Sequence, residues 1–341
     1  MTRAPELPRL TTTPELHVRQ IEAPDDLDAM GALLTRARPE DPIDLANFRH
    51  RDAAWDGTRL WRDRIGAWDA GGTLRGCATV GHLRWEFHPH RYEAHVVVDP
   101  AWRRRGLGTA LHGWVVASLS QRTADSVRGE VPGTDTASVR WAHRLGYREV
   151  GRAWEARLDV AEADTRGLDA GAARATAAGV QITTFAALHD GAGADATDAL
   201  EAELFDLDVE ATADIPTVDP IVHPPFDAWR NSVPRMPGFV RGAVIVAMAH
   251  GAMVGVAYLE ARDATPDVLH QGFLGVRRAW RGRGVAQLLK RATIEVAAAR
   301  RIREIRTFND ATNAAMVHVN DAAGFMRAEA WVTLARPIRE Q

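Results

Sequence analysis

Ala101-Trp102-Arg103-Arg104-Arg105-Gly106-Leu107-Gly108 returns 178 residues later as Ala279-Trp280-Arg281-Gly282-Arg283-Gly284-Val285-Ala286. A second pair keeps the register: Leu145-Gly146-Tyr147 and Ala323-Gly324-Phe325 are separated by the same 178 positions. One Arg-Gly turn is common in solvated loops. Two motifs repeating at one constant offset indicate a duplicated domain. The length of 341 residues agrees, at ~150 residues per domain.

Each turn lies between an apolar strand and a helix. Tyr92 to Val98 leads into the first and Val268 to Val276 into the second. Leu111, Val115, Val116 and Leu119 follow at helical spacing, and Val285 to Ala299 does the same in the second copy. Further strands are predicted at 17–23, 64–68, 74–80, 127–131 and 147–158 in the first half. The second half restarts with strands at 180–185, 243–249, 253–260, 305–309 and 325–334. Helices are predicted after Pro24, near 45–55, and at 195–207, 226–231 and 313–323. Ala161 to Gly179, rich in Ala, Gly, Asp and Arg, reads as a linker with some helical character. The expected fold class is α/β, with domains at 16–160 and 179–338 joined by 161–178, each a mixed sheet with helices packed on it.

Composition narrows the functional classes. Hydrophobic residues make up 46%, enough for two ordinary cores. Forty-two Lys+Arg against 45 Asp+Glu leave a net charge of -3, so the global basic field of a nucleic-acid binder is absent. No apolar stretch reaches the length of a membrane span, and Met1-Thr2-Arg3-Ala4-Pro5 does not open a secretory leader. One cysteine, Cys77, rules out a disulfide within the chain. A cytoplasmic location is expected.

The turns suit an anion. First-turn amides of a helix have no intrahelical acceptor and sit at the positive end of its dipole. Glycine lets the backbone approach a phosphate closely. Arg103, Arg104, Arg105, Arg281 and Arg283 add charged donors. The pattern is neither Walker A nor the Rossmann fingerprint.

The motif resembles that of the GNAT acyltransferase superfamily, [Gln/Arg]-x-x-Gly-x-[Gly/Ala]. Arg103-Arg104-Arg105-Gly106-Leu107-Gly108 and Arg281-Gly282-Arg283-Gly284-Val285-Ala286 both match it. The likeness extends to the strand, short helix and Gly-aromatic step downstream. Asn313 through Gly324-Phe325 fits that pattern, and Asp135 through Gly146-Tyr147 fits it with Asp for Asn. The chain looks most like the tandem GNAT proteins of actinobacterial type, the group that includes mycothiol synthase. This implies two tandem GNAT domains, each a mixed, mainly antiparallel sheet, with acetyl-CoA as acyl donor. It implies direct transfer to a primary amine, most simply a small molecule, with the oxyanion held by backbone near Val98 and Val276. Two such domains can pair within one chain, so a monomer or a homodimer is expected.

The repeat also shows where the halves differ. The family's acid is often a Tyr four residues before the Gly-aromatic glycine; here that position holds Ala142 and Asn320. Neither can serve as that acid. Asn309 corresponds to Val131 and Asn313 to Asp135. Asn313, Met316, Val317 and Asn320 fall on one helix face, so the second half is the expected catalytic half. Asn309 and Asn313 join Val276 and the turn residues Arg281 to Ala286 as expected donor contacts, alongside Val98 and Arg103 to Gly108 in the first half. Base candidates are His270, with Gln271 orienting a water, and Glu260 on the preceding strand; in the first half they are Glu93 and His95. Each is also readable as an exposed polar residue on an alternating strand. Catalysis by the first half, or acyl-CoA sensing without turnover, are the competing readings.

Other features carry less. His82, His88 and His90 match no zinc spacing, and no metal is expected. Pro220 to Pro225 reads as a rigid bend or part of an acceptor pocket. Lys290, the single lysine, reads as codon bias in a GC-rich genome, with resistance to self-acylation as the other reading.

Overall fold

The computed structural model describes residues 6–22, 24–190 and 193–339. The lead-in Met1 to Pro5 and Ala23, the end of the first predicted strand, lie outside them. The first half of the chain runs β1 (His17–Gln20), α1 (Pro24–Ala37), α2 (Leu45–Ala53), β2 (Arg62–Trp68), β3 (Leu74–Gly81), β4 (Arg91–Val98), α3 (Leu107–Ser120), β5 (Ser126–Pro132), α4 (Thr136–Arg144) and β6 (Arg148–Asp159). The second half begins with α5 (Arg166–Ala177), β7 (Gln181–Thr184), α6 (Phe185–His189), α7 (Ala194–Thr212) and α8 (Phe226–Ser232). It ends with β8 (Phe239–Ala249), β9 (Ala252–Ala261), β10 (Val268–Val276), α9 (Val285–Ala299), β11 (Glu304–Asp310), α10 (Ala314–Ala322) and β12 (Met326–Pro337).

Two compact units emerge, Met1–Val150 with Val332–Gln341, and Gly151–Trp331. Their limits fall inside β6 and β12 and so differ from 16–160 and 179–338. The repeat gives each half its own last strand, but the sheets are assembled otherwise. β6 pairs antiparallel with β11, Asp159 opposite Glu304 through Ala153 opposite Asp310. The end of β12 neighbours β5, and its Val332 and Leu334 enter the N-terminal unit's core. Periodicity identifies a strand without saying which sheet it joins.

The linker reading of 161–178 is corrected as well. Most of that stretch is helix α5, whose Leu168, Ala172 and Ala175 are buried in the C-terminal core. Its small residues mislead by composition. Gly167 and Gly171 let its backbone approach Ala322 and Gln287 more closely than a Cβ would allow.

The N-terminal sheet has the order β1-β2-β3-β4-β5-β12, the C-terminal one β6-β11-β10-β9-β8-β7. Each contains a parallel pair, β4 with β5 and β10 with β11. Both pairs are zipped only at their beginnings: Arg91–Glu93 on Ser126–Arg128, and Val268–Gln271 on Glu304–Thr307. Beyond that the strands fork, and the Gly-rich turns lie at the open end.

Side-chain alternation sorts the two faces of each sheet. In the N-terminal unit Ile65, Ala78, Val80 and Tyr92 pack with Leu111 and Trp114 of α3. Cys77 and Val97 turn to the other face, against Leu27, Met30 and Leu33 of α1. In the C-terminal unit Leu269, Leu274 and Val276 face Val285 and Leu289 of α9. A bulge between Gln271 and Phe273 shifts the alternation by one, which lets both ends of β10 bury apolar residues on the same side.

Candidate active site

The two turns share one backbone path. Gly106 and Gly284 cap α3 and α9 with φ of 83° and 88°, and Arg104 and Gly282, two residues earlier, have φ of 66° and 73°. Left-handed backbone suits glycine, so Arg104 is the strained member of the four. Arg103 Nε donates to Val98 O at 3.2 Å, and Arg281 Nε to Val276 O at 3.0 Å. Arg105 stacks over Trp102 at 4.7 Å, and Arg283 over Trp280 at 5.0 Å. The first arginine of each motif thus clamps the turn to its strand, and the tryptophans carry the third.

What presents to a ligand is the backbone. The first-turn amides after Gly106 and Gly284 suit a pyrophosphate. A Cβ on Gly282 would meet nothing within 4 Å, so that mouth is open. Gly284 is different: a Cβ there would lie 1.9 Å from Gly171 O of α5. In the N-terminal unit Thr12 Oγ1 takes a similar place, 2.7 Å from a Cβ on Gly106. These N-cap glycines are required by packing behind the turn. Arg281 is further occupied by Asp214, at 2.6 Å, while Arg283 is exposed.

Beyond the turns the units part. Asn313 Oδ1 accepts from Met316 N, and Asp135 Oδ1 from Ser138 N, so both cap their short helices. Asn320 is 2% exposed, and neither its Oδ1 nor its Nδ2 has a hydrogen-bond partner. With Asn309, Trp154, Val317 and Arg327 it lines a cavity of about 30 Å³. At the matching position Ala142 is buried in the apolar core of its unit. Trp141 beside it donates Nε1 to Thr109 Oγ1 at 3.3 Å and approaches Gly108. It therefore ties α4 to the first turn of α3, a contact the sequence alone did not disclose.

The sheet faces opposite α3 and α9 hold the base candidates. In the N-terminal unit one rung reads Arg62, Gly81, Glu93, Arg128 and the next Arg64, Thr79, His95. His95 Nε2 lies 3.3 Å from Glu93 Oε2. Burial opposes charge on both, and pairing outweighs it. His95 and Arg128 hold Glu93 below the usual carboxylate range, and Glu93 and Glu130 hold His95 above the usual imidazole value. Glu130, which the sequence reading missed, accepts from Thr333 Oγ1 at 3.3 Å and is itself raised by burial and by Glu93.

In the C-terminal unit the rungs read Phe239, Glu260, His270, Arg306 and Val244, Tyr258, Phe273. His270 is buried with no partner at Nε2, and burial, then Arg262 and Arg306, lower its pKa to about 3. It is neutral at any physiological pH, as a base must be, and a weak one. Glu260 Oε1 lies 2.8 Å from where a Cβ on Gly272 would stand, over the bulge. Gln271 points the other way. Its Oε1 accepts from Lys290 Nζ at 2.6 Å in the core, and its backbone O accepts from Thr307 Oγ1 at 3.1 Å. Lys290 is fully buried over the Phe325 ring, and burial pushes its pKa down to about 7. Asp208 receives Trp229 Nε1 at 2.8 Å beneath Phe205 and Phe226. His223 of the proline-rich bend meets Thr212 Oγ1 at 2.6 Å.

His82 Nδ1 accepts from Trp61 N, and its ring stacks on Tyr92, while the rings of His88 and His90 meet edge to face at 6.1 Å. Among the described residues no group of three or more His, Cys, Asp or Glu side chains could hold a metal. No helix among them is long and apolar enough to cross a membrane.

Among proteins with curated descriptions, none matches the chain in sequence. The tandem GNAT protein of the clavulanic acid biosynthesis pathway, solved without acetyl-CoA, is similar at TM-score 0.71 and 18% identity, over 96% of this chain and all of that one. A GCN5-related N-acetyltransferase from Sphaerobacter thermophilus is similar at TM-score 0.64 and 21% identity, over 96% of each chain. At these identities the likeness is one of fold. The acetyltransferase (GNAT) family model matches twice, at residues 27–147 and 204–325, covering both turns and both Gly-aromatic steps. The chain is a tandem member of the acetyltransferase (GNAT) family.

Proposed function

We propose that this protein is an acyl-CoA-dependent N-acyltransferase, passing acetyl directly from acetyl-CoA to a primary amine of a small molecule, with the C-terminal unit catalytic. Kinship with the mycothiol synthase group is part of this reading. The observation that carries it is Asn320. A buried amide with both atoms unpartnered costs about 1–3 kcal/mol per unmet group, and a ligand would remove that cost. Bound acyl-CoA would supply an activated thioester. Toward it the chain offers the amides after Gly284 and the Arg283 guanidinium for phosphates, and Asn309 and Asn320 at the cavity they line with Trp154. His270, kept neutral, stands on the opposite face to take the amine proton, with Glu260 beside it.

One observation favours a second reading, with the N-terminal unit catalytic: its Glu93–His95 pair is more exposed than His270 and shares a charge. Against it, Trp141 is hydrogen-bonded to Thr109 in the first turn of α3, beside the amides a ligand would need. The test is acetyl-CoA binding by thermal shift and calorimetry, followed by thiol release across a panel of primary amines. Binding with turnover of some amine is expected. Tight binding without turnover of any amine would replace the reading with that of an acyl-CoA sensor, and absence of binding would remove both.

A further inference from the structure

We infer that Arg62, Arg64 and Arg84 form a binding site for a compact oxyanion, a carboxylate or phosphate group, on the N-terminal unit's sheet. Ile65 is buried under α3, so Arg62 and Arg64, by alternation, project from the opposite face. There they converge on one acceptor. Arg62 Nη2 and Arg64 Nη1 lie 2.6 and 2.7 Å from the same oxygen, Asp52 Oδ1. Arg84 Nη2 reaches the Ala54 carbonyl at 3.2 Å, on the same helix end. Asp56 is drawn to Arg59, at 3.6 Å. Each guanidinium carries five N–H donors in a planar fork built for a two-oxygen anion, and the shared Asp52 oxygen engages one nitrogen of each.

Two further observations agree. Crowding is felt at Arg62, whose pKa falls to about 10 through burial and then through Arg64, with Asp52 compensating only in part. Thr79, on the rung between Arg64 and His95, has a buried Oγ1 with no partner. The next rung carries Gly81 between Arg62 and Glu93, so no β3 side chain separates them. Strands two apart are about 10 Å from each other. A ligand held by its anion at Arg62 and Arg64 therefore has its far end at Glu93 and His95, where a cationic or hydrogen-bonding group fits. The site stands independently of which unit is catalytic.

The test uses the full chain saturated with CoA, so that the Gly-rich turns do not report. Inorganic phosphate and acetate are titrated separately by calorimetry, with circular dichroism confirming the fold of each variant. Phosphate is expected to bind the wild type, and Arg62→Gln or Arg64→Gln to weaken it about tenfold or more. Asp52→Asn, which frees both guanidiniums, is expected to tighten it. Acetate binding with the same dependence assigns a carboxylate ligand; phosphate alone assigns a phosphoryl one. Failure of the wild type to bind either anion, or binding unchanged in Arg62→Gln and Arg64→Gln, would overturn the inference. If CoA does not bind, the dependence on Arg62 and Asp52 still decides it, separately from the proposed activity.

Discussion

Asn320 of the C-terminal unit and Ala142 of the N-terminal unit occupy one repeat position in opposite surroundings. The asparagine borders a small cavity with no bonding partner, while the alanine is packed among apolar neighbours beside a tryptophan that reaches the preceding helix. The sheet faces behind them differ in the same spirit: arginines and a Glu–His pair in one, aromatics with a neutral buried histidine in the other. Yet the Gly-rich turns have the same left-handed steps and the same clamp onto the strand. Duplication has kept the cradle and let the surrounding chemistry diverge. A shared fold thus says little about whether two copies share a role.

The turns can be separated first by what lies behind them. Gly284→Ala drives a Cβ into the Gly171 backbone in a left-handed conformation, and about 3–5 kcal/mol of stability should be lost. Gly106→Ala meets only the Thr12 side chain, which can turn away, and should cost about half as much. Urea unfolding of the two variants checks the difference; equal losses would mean that α5 does not brace the second turn.

The next comparison concerns Arg283 and Arg105. Arg283→Glu is expected to weaken acetyl-CoA binding about tenfold or more, and Arg105→Glu distinctly less. Calorimetry reads both, and the reverse order would move the principal donor site to the N-terminal unit.

A third contrast is in pH. Lys290 has its pKa lowered in the folded chain, so between about pH 7 and its unfolded value near 10.5 the unfolded state binds the extra proton. Stability contributed by this group therefore rises with pH across that window, by at most about 1.4 kcal/mol per pH unit, and is lost as pH falls through 7. Lys290→Met should flatten the slope. Hydrogen exchange on β10 and α9, compared with β4 and α3, assigns it to the right unit; an unchanged slope in the variant would exclude Lys290 as its source.

The smallest effect is expected at Arg104, which takes the left-handed place held by Gly282 in the other turn. Arg104→Gly should stabilise the protein by about 0.5–1 kcal/mol in thermal unfolding.

Much of this architecture was legible. The constant offset located both turns, the strand before each and the helix after it, because glycine and arginine mark the turn chemically. Strand exchange was not legible: β6 and β12 bury apolar residues wherever they pair. Helix α5 was hidden by the composition that lets it pack, since Gly167 and Gly171 look like linker residues and act as contact points. At the site, Asn309 and Asn320 stood out against Val131 and Ala142. Gln271 did not reveal that it faces Lys290, because the bulge at Gly272 changes which side each neighbour takes. Arg62 and Arg64 escaped notice because two alternating arginines on a strand read as a solvated face until Asp52, from a helix ten residues earlier, is seen between them.

The most direct measurement is turnover of acetyl-CoA with a responsive amine in two double variants, His270→Ala with Asn320→Ala, and Glu93→Gln with His95→Ala. Loss of about 100-fold or more in kcat/KM is expected in the first pair, with the second within about threefold of wild type. Retained activity in the first pair with loss in the second would contradict the assignment and place the chemistry in the N-terminal unit.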